Sequence, residues 1–163
     1  MDKIPKGIIG LQQGMCAIVD LEDQPRVMAR KWRVAVDGTT GRAIQVCSGE
    51  RLSLAHFVLG VSPNRRILID HKSGNIFDNR KNNLRLCTPS ENNANSRKRN
   101  GTTSQYKGVS WYSPRKTWRA QTKKHGVGYH LGYYHDEKQA ALAYNKAAVV
   151  LFGEFARLNE IAT

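Results

Sequence analysis

Ile69-Asp70-His71-Lys72-Ser73-Gly74-Asn75, then Asp78-Asn79-Arg80-Lys81-Asn82-Asn83-Leu84-Arg85, then Thr88-Pro89-Ser90-Glu91-Asn92-Asn93 is the stretch that decides the fold. The apolar run Ile67-Leu68-Ile69 ends at Asp70 and His71, so two polar side chains stand where a buried strand emerges. Gly74-Asn75 turns the chain, and Leu84-Arg85-Leu86 returns beside the first run. Thr88-Pro89-Ser90-Glu91 reads as a helix start, with Thr at the N-cap, Pro at the first helical position and Glu placed to close a capping box. Asn92 falls in the first turn of that helix. The predicted order is strand, loop, strand, helix.

Phosphodiester hydrolysis needs a nucleophilic water, a base to deprotonate it and a cation on the phosphate oxygens. Asp70 offers a hard carboxylate oxygen and Asn92 a carbonyl oxygen, a pairing suited to Mg²⁺, or to Mn²⁺ in its place. His71 titrates near neutrality and can serve as the base. Singly these residues have ordinary readings: a polar pair at a strand end, turn asparagines, a solvated or capping Asn in a first helical turn. In this order and with the capped helix in place, they point to chemistry.

The sequence has 163 residues, 40% of them apolar, which suffices for one ordinary core or two small ones. Its formal net charge of +13 calls for a polyanionic partner. Between Glu91 and Asp136 there is no acidic residue, yet Arg97, Lys98, Arg99, Lys107, Arg115, Lys116, Arg119, Lys123 and Lys124 all fall there. A patch of that sign concentrates counterion-releasing contacts with phosphates. No apolar run approaches a membrane span and the basic segment has no sustained amphipathic helix, so a membrane partner is not expected. Cys16, Cys47 and Cys87 give neither a disulfide framework nor a zinc ribbon, and no structural zinc is expected. Residues 1–10 lack the apolar core and cleavage site of a secretory signal, and a reducing cytosol is the expected compartment.

Residues 15–50 alternate short apolar runs with turn signals. Trp32 to Val36 and Ala43 to Cys47 read as strands joined by the Asp37-Gly38 and Thr40-Gly41 turn chemistry, giving a small antiparallel platform. Leu52 to Leu59, closed by Gly60, suits a short helix that carries His56. Residues 97–105 are basic and without apolar side chains, the best linker in the chain. Beyond them Tyr106 to Tyr112, Thr117 to Lys123 and Tyr129 to Tyr134 read as three strands, and a helix begins at Asp136 and ends at Gly153. Alternation places Trp118, Ala120 and Thr122 toward that alanine-rich helix, and Arg119, Gln121 and Lys123 on the opposite face. A sheet face of that kind can enter a major groove.

The segment Ile69 to Asn93 resembles the HNH endonuclease motif in its phage and homing-endonuclease form: Asp-His, eleven intervening residues, Asn, eight more, Asn. Ala17 to Asp23, Lys31-Trp32 and Leu54-Ala55-His56 are similar to the N-terminal extension of these proteins. The resemblance implies an α+β fold with a ββα-metal (His-Me finger) hairpin. In it Asp70 and Asn92 ligate one divalent ion, His71 is the general base, and Asn83 braces the loop that orients His71. The implied products are a 5′-phosphate and a 3′-hydroxyl.

Residues 104–160 resemble the ethylene-response-factor (Apetala-two) DNA-binding domain. The likeness rests on Tyr106-Lys107-Gly108-Val109, Lys116 to Ala120, Leu131-Gly132-Tyr133-Tyr134, Ala143-Tyr144-Asn145 and Gly153 through Asn159. It implies a three-stranded antiparallel sheet in the major groove backed by one helix, with Lys107, Ser110, Tyr112, Arg119, Gln121, Lys123 and His130 facing the groove. Arg115 and the basic run Arg97-Lys98-Arg99 add phosphate contacts. Ser110 and Tyr112 stand where plant members usually have Arg and His130 where they have Trp, so the plant target sequence does not transfer.

Together these features predict an HNH nuclease domain over 1–96, a linker over 97–105 and an Apetala-two-like DNA-binding domain over 106–163. The expected protein is a site-preferring, metal-dependent endonuclease of double-stranded DNA. It would be phage or mobile-element encoded, DNA-associated in a bacterial cytosol, monomeric or homodimeric, with no obligate protein partner. The alternatives are a DNA-binding regulator with an inactive HNH module and a binder or nuclease of structured RNA.

Overall fold

Among the described residues the first half holds three two-stranded antiparallel sheets, one of them the expected pairing of Trp32 to Val36 with Ala43 to Cys47. The computed structural model describes residues 7–11, 14–36, 43–47, 52–64 and 66–161. Strand β1 (Ile8–Gly10) pairs with β2 (Cys16–Ile18), and β3 (Trp32–Val36) with β4 (Ala43–Cys47). The expected turn at Asp37-Gly38 and Thr40-Gly41 lies outside the described residues. A short helix that the sequence reading passed over, α1 (Gln24–Met28), follows the acidic turn with Pro25 at its start. Helix α2 (Leu54–Leu59) is capped by the Ser53 hydroxyl and closed by Gly60 in the left-handed region, at φ 68°. His56 belongs to that cap, its Nδ1 2.6 Å from Ser53 Oγ.

Ile9, Leu11, Ala17, Val19, Val27, Trp32, Val34, Leu54, Ala55, Val58 and Leu84 form one buried cluster. Trp32 anchors it, its indole N–H donating to the Val27 carbonyl at 2.9 Å and its ring lying 5.4 Å from that of Phe57. A buried indole needs such a partner. Strand β5 (Leu68–His71) pairs with β6 (Leu84–Cys87), with Asp70 opposite Arg85 and His71 opposite Leu84. The loop between them is tied to β2: Ile18 donates to Phe77 O and accepts from Asn79 N–H, both under 3 Å.

Contacts divide the chain into two units, Met1–Cys87 and Thr88–Thr163. Helix α3 (Pro89–Asn95), expected to close the first half, groups with the second. Its Ala94 is buried with Tyr144, Ala148 and Phe152, and the Lys107 ammonium donates to the carbonyls of Asn93, Ala94 and Ser96 at its C-terminal end. A cation there satisfies carbonyls that the helix leaves unpaired and meets the negative end of its dipole. The expected capping box is complete, with Thr88 Oγ1 accepting from Glu91 N–H and the Glu91 carboxylate accepting from Thr88 N–H at 2.8 Å.

The second unit holds one three-stranded antiparallel sheet, β7 (Val109–Tyr112), β8 (Thr117–Lys124) and β9 (Val127–Tyr134), with β8 in the middle. Helix α4 (Glu137–Phe152) packs on it, capped at the start by Asp136 and ended by Gly153. Ala140 and Ala141, both at 0% exposure, meet Ala120, Val109 and Trp118; small side chains let the helix axis lie close to the sheet. Ala120 pairs with Gly132 and Gln121 with His130, so Leu131 is an extra residue in β9. The bulge turns Leu131 toward the core beside α4.

The first strand begins at Val109 and not at Tyr106 because Gly108 sits at φ +75°. A Cβ at that position would fall 2.0 Å from Tyr144 Cδ2 and 2.8 Å from the Gln121 carbonyl oxygen. Gly108→Ala is expected to lower the unfolding free energy by about 2–4 kcal/mol, combining left-handed strain with overpacking. Urea unfolding of the purified variant checks this. A loss below about 1 kcal/mol would show that Tyr144 is displaced at little cost.

Candidate functional site

In the first unit Asp70 is buried, and its Oδ2 accepts from Arg85 Nε at 2.9 Å and lies 2.8 Å from Arg85 Nη2. This pair joins neighbouring positions of β5 and β6, so the register of the hairpin sets it. Next along β5, the His71 imidazole has its Nε2 3.2 Å from Asn79 Oδ1. Asn79 is fully buried at 0% exposure, held by its N–H to Ile18 O at 2.7 Å and by its side-chain amide to Ile76 O. Burial pulls the His71 imidazole below its usual range, against the opposing effects of the Asn79 bond and the Asp70 and Asp78 carboxylates. The ring is therefore held neutral near pH 7, the form that can accept a proton.

Asn83 spans the loop. Its Oδ1 accepts from Ser73 N–H at 3.0 Å, its Nδ2 donates to Asp78 O at 2.7 Å, and its own carbonyl accepts from Lys72 N–H at 2.8 Å. Asp78 is held by Arg80 at 2.7 Å, and Lys81 is anchored to Asp20 through its N–H and to Glu22 and Asp23 through its ammonium. The structure thus brings Asp70, His71, Asn79 and Asn83 into one hairpin and its loop. Asn92 lies in the first turn of α3 and belongs to the second unit.

Sequence reasoning passed over Asn79 because an Asn after Asp and before Arg looks like turn chemistry. Its total burial beside an imidazole has no counterpart in composition. Arg85 was visible only as part of a returning strand; its register opposite Asp70 gives it a second role.

In the second unit, pleat and register put Ser110 and Tyr112 of β7, Arg119 and Gln121 of β8 and His130 and Tyr133 of β9 on the sheet face opposite α4. The Tyr112 and Tyr133 rings meet at 5.1 Å and those of His130 and Tyr133 at 4.6 Å. The Arg115 guanidinium lies 4.6 Å from the Tyr133 centroid and that of Arg119 5.6 Å from Tyr112. Lys123 shares the same strand parity and is exposed, as are Arg97 and Arg99 in the irregular segment before the sheet, while Lys98 is half-buried.

Lys107 is placed differently from the groove-facing expectation. Its ammonium is consumed by the end of α3, and burial, with Arg157 nearby, pulls its pKa down to about 8. Its N–H and C=O are both held by Asn159, which in turn is paired with Asn145. Lys124 likewise spends its ammonium on the Leu151 carbonyl at the end of α4. The end of the basic segment expected as linker is sewn to the second unit: the Ser104 hydroxyl donates to Glu137 at 2.6 Å, Gln105 N–H to the same carboxylate, and Trp111 N–H to Thr103 Oγ1.

An uncharacterized HNH endonuclease of Acanthamoeba polyphaga mimivirus is 33% identical over 159 residues, covering 94% of this chain and 80% of that protein. The chain belongs to the HNH endonuclease family. Membership makes it a nuclease. A shorter match, 40% identical over 58 residues, links 36% of the chain to 48% of Protein 3.8 of Escherichia phage T7. No family model matches the chain, and no solved structure does. Among the described residues, no helix of this HNH protein is long and apolar enough to cross a membrane.

Proposed function

We propose that the chain is a divalent-metal-dependent, homing-type DNA endonuclease in which His71 is the general base and the outer face of the β7–β9 sheet binds duplex DNA. The observation that carries this reading is the His71 imidazole, held neutral and oriented by a buried Asn79 next to Asp70, in a member of the HNH family. With Nε2–H donated to Asn79 Oδ1, Nδ1 keeps the lone pair that takes a proton from the attacking water. Asn83 keeps the loop from relaxing and so keeps Asn79 aimed.

Asp70 and Asn92 are the residues that would hold Mg²⁺ or Mn²⁺. One carboxylate and one amide oxygen fit an ion that takes few protein ligands and retains several waters. Among the described residues no group of three His, Cys, Asp or Glu side chains is placed to hold a metal. When bound, the ion supplies positive charge to the scissile phosphate and the leaving oxygen. The Apetala-two-like reading of the second unit rests on its three-stranded sheet, its single helix and the basic face they present. In this reading the enzyme works in a bacterial cytosol on behalf of a phage or mobile element.

Incubation with supercoiled plasmid and Mg²⁺ or Mn²⁺ tests the proposal directly: nicked or linear product is expected, and chelation stops it. DNA binding without cleavage in either metal would replace the enzyme with a DNA-binding regulator. Asn79→Leu, which removes the acceptor at His71 Nε2, is expected to lower kcat about tenfold or more with KM for DNA unchanged. Loss of DNA affinity instead would make Asn79 a binding residue.

A further inference from the structure

Among the described residues three side-chain polar atoms, Ser110 Oγ, Thr117 Oγ1 and Arg119 Nε, are buried without a hydrogen-bond partner on one face of one sheet. Register explains the cluster: Ser110 stands opposite Arg119, Thr117 opposite Tyr112, and Thr117 and Arg119 are two apart on β8. The tyrosine rings supply the cover. Tyr112 meets Tyr133 across the middle strand, the Arg119 guanidinium lies against Tyr112, and Thr117 is left only 7% exposed.

Buried polar groups are nearly always paired, because stripping one of water without a partner is costly. Three together on the face opposite the core serve no packing purpose. Two hydroxyls and a guanidinium N–H can all donate, so together they ask for an acceptor, and the positive charge favours an anionic or strongly polarised oxygen. We infer that Ser110, Thr117 and Arg119 form a dry acceptor subsite for DNA beneath a Tyr112–Tyr133 cover, taking a phosphate oxygen or the O6/N7 edge of a guanine. The inference rests on the reading of this sheet as the DNA-binding face. Because these donors are enclosed by protein atoms, the cover must part to admit the ligand oxygen.

The test uses Ser110→Ala, Thr117→Val and the double variant in the 163-residue His71→Ala chain, which is expected to hold DNA without cutting it. Thermal unfolding is read beside fluorescence anisotropy on a mixed-sequence duplex and on poly(dA)·poly(dT), which has phosphates and no guanine. Removing an unsatisfied hydroxyl should leave Tm unchanged or raise it, while affinity falls about tenfold per hydroxyl. A fall on both duplexes identifies a phosphate oxygen; a fall on the mixed duplex alone identifies guanine. Unchanged affinity in the double variant overturns the subsite while leaving the DNA-binding reading intact. A parent chain that binds neither duplex overturns both. Should Thr117→Val fail to fold, the Ser110→Ala result decides in the same way.

Discussion

Replacing Arg85 by Met is expected to destabilise the first unit by about 3–5 kcal/mol, because it removes the guanidinium from a carboxylate that is almost wholly out of water. Asp70 and Arg85 side chains are 6% and 10% exposed and meet through two short contacts to one oxygen. A surface pair of the same geometry would contribute under about 1 kcal/mol; burial is what makes the loss large. Urea unfolding checks the size of the effect. Asp70→Asn in the Arg85→Met background should recover much of it, since a neutral amide tolerates the site that an ionised carboxylate does not, and the double-mutant cycle isolates the pair. A cost below about 1 kcal/mol would show that water reaches Asp70 once Arg85 is gone.

His71→Ala should reduce the cleavage rate by about 10²–10⁴-fold while leaving DNA affinity within about twofold. The imidazole belongs to the hairpin of the first unit and the basic sheet face to the second, so its removal deletes a proton acceptor and leaves every side chain of that face in place. Single-turnover cleavage beside anisotropy binding separates the two quantities. Equal losses in both would assign His71 to substrate binding. Cleavage at the parental rate would remove it from the chemistry and overturn the proposed mechanism.

The elements that were legible in the sequence are those whose signals are local. Thr88 and Glu91, Asp136 and Gln139, and the glycines at 60 and 153 end or start helices by bonds within a few residues, and the structure has those caps. What depended on distant partners was not legible. Nothing near Ile8 announces its pairing with Ile18, and nothing near Leu131 announces a bulge set by a strand ten residues away. Charge misled in a similar way. Counting lysines in 97–124 treats all of them as surface, yet Lys107 and Lys124 point inward to helix ends, because an ammonium also suits a carbonyl cluster. At the candidate site, the spacing of Asp70, His71 and Asn83 was readable as a motif, whereas Asn79 became visible only through its burial.

The fastening of α3 by Lys107 also sets where this protein can be cut and rejoined. A recombination crossover in the basic stretch after Ser96, where composition suggests a hinge, would carry off the helix and strand an ammonium that has three carbonyls as its seat. A crossover between Cys87 and Thr88 keeps helix, lysine and sheet on the same side of the joint. A chimera joined there would carry Asn92 together with the basic sheet.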